Sequence, residues 1–483
     1  MAEQPPLGEV FLAACAEHTG RRAVVDADQE LSYGQLAERV RDRARTLVDL
    51  LGPDEHRIAL HAANSADYLV SYYALLIAGR LPFLVDSQFG ATELQGIRDS
   101  CGVDTFLTDK ADHFPLPSGL VPVPGSRHVL ARPARPGTGV EPPGPRPTTA
   151  TCRFTSGTTG APKCLEFSHT AVHSAALNWT TGTGLGAGDR VLCLAAFTNG
   201  LAFNTSLLPV FLVGAELHVY RGLPTSSGIT KALRRSAATR LVAFPLAYRL
   251  LAETPAPDLD AFSDLRLAVS AAAVLDPAVR ESFESRYHVR IADYYGIAET
   301  GPCTFERDPE YAEGLGTALP GVSLRILPRE DGESEVRVRT ASMATCYLNV
   351  PDGLEERLDT EGYYRTGDRG LIHQDRLYVT GRLGGPVNLA GRKVDPAEIE
   401  RVVLGIDGVR DTAVFADQDA RGETVLHAVV CGSLARADVV DVCRTKLAPY
   451  KVPGRITFLP AIPRSSAGKV RLTELRDLVT RTP

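Results

Sequence analysis

The segment 154–163 concentrates groups that can bind phosphate, and it reads FTSGTTGAPK. Glycines let a backbone approach a polyanion and turn its N–H groups inward. Hydroxyl groups donate further hydrogen bonds, and a lysine adds a point charge. The candidate phosphate-binding residues are Thr155, Ser156, Gly157, Thr158, Thr159, Gly160 and Lys163. The segment is not a Walker loop, because Lys163 does not directly follow a glycine and precedes Cys164 instead of a hydroxyl residue.

This string resembles the phosphate loop of the adenylate-forming superfamily, which includes acyl- and aryl-CoA ligases, adenylation domains of nonribosomal peptide synthetases, and luciferases. The resemblance extends from the Leu31-Ser32-Tyr33 region to Lys469, and further motifs follow in the order that the superfamily uses. It implies an ATP- and Mg²⁺-dependent enzyme that converts a small carboxylic acid into an acyl-adenylate and releases pyrophosphate. The substrate carboxylate is ionised at neutral pH, so this step needs no general base.

The segment DYYGIAET at 293–300 resembles the adenine and metal segment of the superfamily. By that resemblance Tyr295 would stack on adenine, and Asp293 would accept a hydrogen bond from the exocyclic amine. Glu299 would hold Mg²⁺, a hard cation that prefers oxygen ligands. The motif Y-G-x-x-E is weak alone, but its place about 130 residues after the phosphate loop favours this function.

Three further motifs resemble parts of the same nucleotide site. Asp368, in YRTGDRG, would accept hydrogen bonds from both ribose hydroxyls. Arg382 would contact ribose or phosphate at the hinge, where Gly384 departs from the usual Asp or Lys but tolerates large changes of φ and ψ. Lys469, in PRSSAGK, resembles the mobile catalytic lysine. The catalytic residues implied by the resemblance are Lys163, Glu299 and Lys469.

The acyl pocket of the superfamily draws on four stretches of chain, which here are rich in small and apolar residues. By the resemblance, the candidate residues for binding the acid are Phe197, Thr198, Asn199, Phe244, Ala271, Ala272 and Gly296. Relatives that activate amino acids place an aspartate two residues before serine, in F-D-x-S, to pair the substrate ammonium. No F-D-x-S occurs in 195–217. Because an unpaired ammonium is costly in an apolar pocket, an α-amino acid is disfavoured.

The spacing of Phe197-Thr198-Asn199 is similar to A-H-N of stand-alone aryl-acid enzymes, which also carry alanine before the glutamate, as at Ala298. By this analogy Asn199 would hydrogen-bond a ring substituent; the alternative is that it caps a loop. Thr198 replaces a frequent histidine gate. We expect an aryl or aryl-like acid, with a medium-chain or branched aliphatic acid as the alternative.

The motifs leave the acceptor of the acyl group open. The resemblance implies a second step, in which the small domain rotates and a pantetheine thiol, of CoA or of a carrier protein, attacks the adenylate. No carrier-type D-S-x motif follows residue 470, so an acyl carrier protein would be a separate chain. An amine acceptor is the second hypothesis. A non-catalytic binding module is the third, and the retained lysine, glutamate, aspartate and arginine residues argue against it.

The elements that position these residues are predicted by hydrophobic periodicity. Strands at 57–61 and 81–85 flank a helix at 67–78, an alternation typical of βαβ units with parallel strands. Ser32 is predicted to open a second helix near Tyr33. The same alternation returns at Arg190–Leu194, Leu207–Gly214, Glu216–Tyr220 and Arg240–Phe244.

We therefore predict an α/β fold with two domains. A large N-terminal domain, 1–380, would contain mixed sheets flanked by helices and, from about residue 314, a small β-rich subdomain. A small mobile α+β C-terminal domain would cover 381–483. The run at 132–149, in which six of eighteen residues are proline, predicts an exposed connector. Residues 381–386, GRLGGP, are expected to interrupt regular structure.

The overall composition agrees with such an enzyme. A chain of 483 residues exceeds what one core supports, and a net charge of −6 gives no global field for nucleic acid or anionic membranes. Nine widely spaced cysteines without C-x-x-C are expected to be free thiols. The N-terminus lacks a signal-peptide pattern, and the apolar stretch 68–84 is too short to span a membrane. We expect a cytoplasmic enzyme, and the unusual pocket suggests specialised-metabolite biosynthesis.

Overall fold

The fold is known from a computed structural model of the chain. It describes residues 5–103, 105–114, 119–133, 143–155, 162–272, 275–308, 314–328, 334–350, 353–382, 387–389, 392–394, 396–418, 424–447, 449–463, 470 and 472–481. The predicted phosphate-binding residues Ser156 to Gly160 and the predicted catalytic Lys469 lie outside the described residues. So does the middle of the proline-rich connector, 134–142. Arg382 is described by its backbone alone.

The chain divides into two units. The first unit contains Met1–Leu324, Val338–Tyr364 and Gln374–Leu377. The second unit contains Arg325–Arg337, Arg365–His373 and Tyr378–Pro483. The predicted division into a large domain, 1–380, and a mobile domain, 381–483, stays a prediction.

The described helices of the first unit are mostly short to medium in length. They are α1 (Leu7–Glu17), α2 (Tyr33–Leu50), α3 (Ala66–Ile77), α4 (Ala91–Cys101), α5 (His169–Thr183), α6 (Gly200–Ala202), α7 (Pro209–Leu212), α8 (Ser226–Ser236), α9 (Pro245–Ala252) and α10 (Pro277–Tyr287). A π-helical turn, Phe203–Leu207, lies between α6 and α7. Such turns are frequent at functional sites.

The strands follow in chain order. The first unit contains β1 (Arg22–Val25), β2 (Glu30–Ser32), β3 (Arg57–His61), β4 (Leu81–Val85), β5 (Thr105–Thr108), β6 (Gly119–Pro122), β7 (Val129–Arg132), β8 (Thr149–Thr155), β9 (Lys163–Ser168), β10 (Arg190–Cys193), β11 (Glu216–Val219), β12 (Arg240–Ala243), β13 (Leu267–Ser270), β14 (Ile291–Ile297), β15 (Gly301–Phe305) and β16 (Thr317–Ala318). They are followed by β17 (Val322–Pro328), β18 (Ser334–Thr340), β19 (Cys346–Tyr347), β20 (Tyr364–His373) and β21 (Arg376–Arg382). Apart from β19, which belongs to the first unit, these last strands are divided between the units.

Two sheets dominate the first unit. One has the order β16-β15-β14-β13-β12-β10-β11-β1-β2, and its strands from β14 to β1 are parallel neighbours. The other has the order β19-β9-β8-β4-β3-β5-β7-β6, with β8, β4, β3 and β5 parallel. The predicted βαβ alternation is thereby confirmed, because β3, α3, β4, α4 and β5 form successive parallel units.

Local sequence signals explain several of these boundaries. The side chain of Ser32 accepts a hydrogen bond from Gln35 N, and Gln35 Oε1 accepts one from Ser32 N, which completes a capping box for α2. The side chain of Ser65 accepts a hydrogen bond from Tyr68 N and caps α3. In contrast to the prediction for 381–386, β21 continues through Arg382, and residues 383–386 lie outside the described part.

The main core of the first unit packs α1, α2, α3 and α5 against the sheets. Phe11 and Tyr73 stack with ring centroids 3.6 Å apart, and Phe211 meets both rings edge-on. All nine cysteines are free, and all except the half-buried Cys346 are buried. The prediction of buried free thiols is therefore confirmed.

The second unit has its own core. It contains α11 (Pro396–Leu404), α12 (Arg436–Lys446) and α13 (Leu472–Arg481), with β22 (Val387–Leu389), β23 (Arg392–Val394), β24 (Val409–Gln418), β25 (Thr424–Gly432) and β26 (Arg455–Phe458). Strand β25 pairs antiparallel with β24 and parallel with β26. Apolar side chains of α11, α12 and this three-stranded sheet form a buried cluster. The expected α+β texture of the C-terminal region is thus present.

Candidate active site

Four parallel strands of the first unit end beside the residues that the sequence assigned to the acid. Phe197 follows β10, Phe244 follows β12, Ala271 follows β13, and Gly296 lies near the end of β14. Because these strands are neighbours in one sheet, their carboxyl ends lie at the same edge. The structure therefore brings the predicted acid-binding segments together, and we call this place the acid pocket.

The side chains of the acid pocket differ in burial. Phe197 is fully buried, and its ring centroid lies 5.4 Å from that of Tyr68. Phe244 is half-buried, as is Thr198. Asn199 is exposed and its side chain accepts a hydrogen bond from Leu201 N at 2.8 Å, so it caps α6. The structure thus shows Asn199 as the cap of a helix, which was the alternative given by the sequence. Its hydrogen bond to an aryl substrate stays a prediction.

Ala271 and Ala272 lie side by side after β13. Ala271 is buried, whereas Ala272 is exposed and has a φ of +68°. A left-handed conformation costs a residue with a Cβ about 1–2 kcal/mol. The acid pocket thus contains a strained backbone position.

Asn64 fixes the segment that leads to Phe197, and sequence analysis missed it. Its Nδ2 donates to the carbonyl of Ala195 at 2.8 Å, and its Oδ1 accepts from Phe197 N at 2.9 Å. Asn64 follows β3, so these bonds tie the second sheet to the end of β10 in the first. An asparagine directly after a predicted buried strand was the available signal.

The two ends of the predicted phosphate segment lie on paired strands. Strands β8 and β9 pair antiparallel, with Thr155 opposite Lys163. The intervening residues 156–161 lie outside the described part. Lys163 is exposed. The hairpin therefore presents the ends of the predicted phosphate loop to solvent.

A tyrosine links this lysine to the predicted metal ligand. The Tyr347 hydroxyl donates to Glu299 Oε1, and Lys163 Nζ lies 5.5 Å from the centroid of the same ring. Burial, together with the charge of Glu299, raises the pKa of Tyr347. The phenol therefore stays protonated and holds the carboxylate in place. Among the described residues, Oε2 of Glu299 has no hydrogen-bond partner, which leaves it available for a cation.

Asn349 secures the other end of the phosphate loop. Its Oδ1 accepts from Cys164 N at 2.8 Å, and its Nδ2 donates to the Pro162 carbonyl at 3.0 Å. Sequence analysis missed both Tyr347 and Asn349. Their Y-x-N spacing in a segment of alternating polarity was the only local signal, because their partners lie far away in the sequence.

The β14–β15 hairpin positions the predicted adenine segment. A Cβ on Gly296 would lie 2.5 Å from the Gly301 carbonyl oxygen, so this position requires glycine. Tyr295 is buried at the same turn. Asp293 forms an ion pair with Arg280, yet burial raises its pKa from the usual value. This ion pair with α10 was not predicted.

Asp368 lies on β20, within the second unit. The carboxylate residue is buried, and its backbone N donates to Thr366 Oγ1 at 3.0 Å. Thr366 in turn donates to the Val336 carbonyl at 2.7 Å. Its role toward ribose stays a prediction, as do those of Arg382 and Lys469.

The donor set fits ATP and a hard cation better than a protein-built metal centre. In the part of the chain that the structure describes, no three His, Cys, Asp or Glu side chains group into a metal site. A single carboxylate with one free oxygen suits a cation that takes its remaining ligands from phosphates and water. The exposed lysine beside it suits polyphosphate.

Comparison with known proteins decides the family. Residues 11–348 match the model of the AMP-binding enzyme family, and residues 398–469 match its C-terminal domain. The chain belongs to the AMP-binding enzyme family. It is therefore an acid–thiol ligase of the adenylate-forming superfamily, as the motifs predicted, and its activity depends on ATP.

Individual relatives of the enzyme are distant but span its length. It is 28% identical to the 3-[(3aS,4S,7aS)-7a-methyl-1,5-dioxo-octahydro-1H-inden-4-yl]propanoyl:CoA ligase of Mycobacterium tuberculosis, over 96% of each chain. It is 27% identical to 4-chlorobenzoate–CoA ligase of Arthrobacter sp, over 96% of this chain and 94% of that one. The fold resembles the anthranilate CoA ligase AuaEII in complex with anthranoyl-AMP, with TM-score 0.70, 20% identity, and coverage of 99% and 98%.

No described helix of the enzyme combines the length and apolar character that a membrane span requires.

Proposed function

We propose that the enzyme activates an aryl or aryl-like carboxylic acid with ATP and Mg²⁺ and then transfers the acyl group to a pantetheine thiol. The observation that carries this proposal is the Lys163–Tyr347–Glu299 arrangement between the phosphate hairpin and the acid pocket. It combines a cation for phosphate and a carboxylate for metal with an adjoining apolar pocket. Acyl transfer through an adenylate needs these three features together.

In the proposed first step, a carboxylate oxygen of the acid attacks the α-phosphorus of ATP, and the bond to the bridging oxygen breaks to release pyrophosphate. Lys163 would bind phosphate oxygens, and Tyr347 would hold Glu299 in one orientation. Glu299 would hold Mg²⁺, which would supply positive charge for the phosphates. Lys469 would stabilise the substrate carboxylate and the bridging oxygen, while Asp368 and Arg382 would bind ribose.

The preference for an aryl-like acid is supported by the walls of the acid pocket. Phe197 and Phe244 offer aromatic surface. The described segment around them places asparagine at position 199, and this amide cannot neutralise a substrate ammonium as a carboxylate would. Two relatives are named for 4-chlorobenzoate and anthranilate. An aliphatic acid remains the alternative, since other relatives are named for a bicyclic propanoate and for long-chain fatty acids.

The acceptor is proposed to be CoA or a carrier protein on a separate chain. Support comes from the names of the curated relatives, which are predominantly CoA ligases. Rotation of residues 381–483 would exchange Lys469 for the Gly391 region between the two steps. An amine acceptor is the second candidate. We further propose that the enzyme acts in the cytoplasm, in the synthesis of a specialised metabolite.

The deciding experiment measures pyrophosphate release with ATP, Mg²⁺ and a panel of aryl, aliphatic and amino acids, with hydroxylamine to trap the adenylate. We expect release that depends on an aryl acid and on Mg²⁺, and adding CoA should yield the thioester. Lys469→Ala should abolish release while ATP still binds. Normal release by that variant would refute its catalytic role, and no release with any acid would refute the proposed function.

A further inference from the structure

Arg153 lies on β8, two residues before Thr155 at the start of the phosphate loop. Side chains two apart on a strand point to the same face, separated by about 6–7 Å. Arg153 therefore lies one strand repeat deeper than the loop, on the face that Thr155 shares. Only 3% of its surface is exposed.

The guanidinium group touches the acid pocket. Its Nη2 donates to the carbonyl of Ala298, the residue before Glu299, at 3.3 Å. A Cβ on Gly200, which follows Asn199, would lie 3.3 Å from Nη1. Its central carbon lies 4.3 Å from the ring centroid of Phe203, in the π-helical turn.

The charge of Arg153 is not paired within the described part of the chain. No described carboxylate forms an ion pair with Arg153, although the charge of Glu299 acts on it from farther away and raises its pKa. Its Nε is buried and has no hydrogen-bond partner. The rings of Phe203 and Phe167, the latter at 4.8 Å, add cation–π contacts. Burial lowers the pKa of Arg153 to about 10, so the side chain remains a cation at neutral pH.

A second polar group nearby also has no partner. The hydroxyl of Tyr68 is buried without a hydrogen bond, and it lies close enough to sense the charge of Arg153. The Tyr68 ring packs beside Phe197 of the acid pocket. Buried donors without partners are uncommon in folded proteins, and each one requires an explanation.

We propose that Arg153 is the counter-ion for a second carboxylate on the acid, and thus that the substrate is a short or ring-bearing dicarboxylic acid. The inference rests on the proposed function and specifies its substrate class. One carboxylate would face the α-phosphate at the level of Thr155. The other would lie deeper in the acid pocket, where Arg153 and Tyr68 supply donors. A benzene dicarboxylate and a five-carbon diacid represent the ring-bearing and the short form of such an acid.

The experiment compares matched acids in the pyrophosphate assay: benzene-1,3-dicarboxylate against benzoate and its own monomethyl ester, and glutarate against pentanoate. For wild type we expect kcat/KM about 100-fold higher for the diacid of at least one pair, since leaving a buried charge unpaired is costly. Arg153→Met should abolish or reverse this preference. A wild-type enzyme that releases pyrophosphate but prefers the monoacids would overturn the inference and leave the proposed function standing.

Binding can be measured without catalysis through Trp179, the single tryptophan of the chain. Its ring centroid lies 5.1 Å from that of Tyr294, which senses the charge of Arg153. Titration of the full chain with each diacid, without ATP, should change the fluorescence saturably. Arg153→Met should weaken this binding at least about tenfold, and Arg153→Lys less.

The charge-matched control is Arg45→Met, which removes an exposed arginine paired with Asp42 on α2. This variant should bind and react as wild type does. If neither diacid binds wild type, or if both arginine variants weaken binding equally, the inference fails. Diacid binding that depends on Arg153 but produces no pyrophosphate would support the anion site and refute the proposed function.

Discussion

Among the described residues of the first unit two arginines are buried, and their surroundings are opposite. Arg43, on α2, donates to Asp67 Oδ1, Ser71, Ser126 and the Gly125 carbonyl at 2.8 to 2.9 Å. Arg153 has one hydrogen bond, at 3.3 Å, and two aromatic rings. The exposed fractions are 6% and 3%, so neither arginine is solvated.

The difference separates a structural charge from one that is available to a ligand. At Arg43 each Nη atom donates to two acceptors, and Asp67 receives further bonds from Ser126 and Arg127 N. Such a site loses stability when one partner is removed. At Arg153 no described carboxylate forms an ion pair, and the more distant charge of Glu299 offsets only part of the cost of burying the guanidinium group. Four predictions test this contrast, in order of expected effect.

Arg43→Met should lower the free energy of unfolding by about 3–5 kcal/mol, because it leaves Asp67 as an uncompensated buried charge. Urea denaturation followed by circular dichroism measures the change. The double variant Arg43→Met with Asp67→Leu should regain part of the loss. A loss below about 1 kcal/mol would contradict the interpretation of Arg43 as a charge that stabilises the fold.

Acid should destabilise the Arg43 region through His128. Burial lowers the pKa of His128 below its usual value, and its Nδ1 bonds Ser71 at 3.0 Å. Because the folded pKa lies below the unfolded pKa, this contribution is present above pH 6.5 and is lost as pH falls toward the folded pKa.

Asp67 acts at lower pH. Burial would raise its pKa, but His128 and Arg43 hold it below its ordinary value, so its contribution disappears only below about pH 3.8. We expect His128→Gln to flatten the fall in unfolding free energy as the pH drops below 6.5, because glutamine has no proton to bind in that range. Parallel curves for the two proteins would contradict this. Arg153, with a pKa of about 10, contributes no pH dependence in that range.

The backbone offers a matched pair of left-handed positions. Gly125, whose carbonyl binds Arg43, has φ +66°, and Ala272 in the acid pocket has φ +68°. Ala272→Gly should raise the unfolding free energy by about 1 kcal/mol, and Gly125→Ala should lower it by a similar amount. A Cβ on Gly125 would meet no atom within 4 Å, so strain alone is measured there. If both variants changed the unfolding free energy in the same direction, backbone strain would not distinguish the two regions.

Arg153→Met should have the smallest effect on stability, within about 1 kcal/mol of wild type or stabilising, because an apolar side chain replaces an unpaired charge. Thermal and urea denaturation without ligand measure it. A loss comparable with that of Arg43→Met would mean that Arg153 serves the fold. Diacids should raise the melting temperature of wild type but not of the variant.

The features that were predicted correctly from the sequence are those that depend on residues close together along the chain. Ser32 opens α2, β3 and β4 begin and end where the apolar runs do, and the predicted acid residues follow parallel strands. Those signals are short-range, since each depends on neighbours within a few residues. The family followed from motif order, and the comparisons confirmed it.

The remaining site residues depend on pairs that are distant along the chain. Asn349 bonds Cys164, 185 residues away, and Arg153 bonds Ala298, 145 residues away. In the sequence, Arg153 is one polar residue among apolar ones, and Tyr347 is one aromatic residue in a short strand. Only the packed sheets reveal that Arg153 lacks an ion-pair partner among the described residues and that Tyr347 orients Glu299.

Asn64 bears on the order in which the chain acquires its structure. It joins the end of β3 to the end of β10 across 131 residues. Contacts of such separation must overcome a large loop-closure entropy, so they form after local helices and hairpins. A refolding chain should therefore regain its helical circular dichroism before it regains acid binding. During synthesis the acid pocket would be completed only after β10 has emerged, which leaves a partly made chain with a native first βαβ unit and no activity.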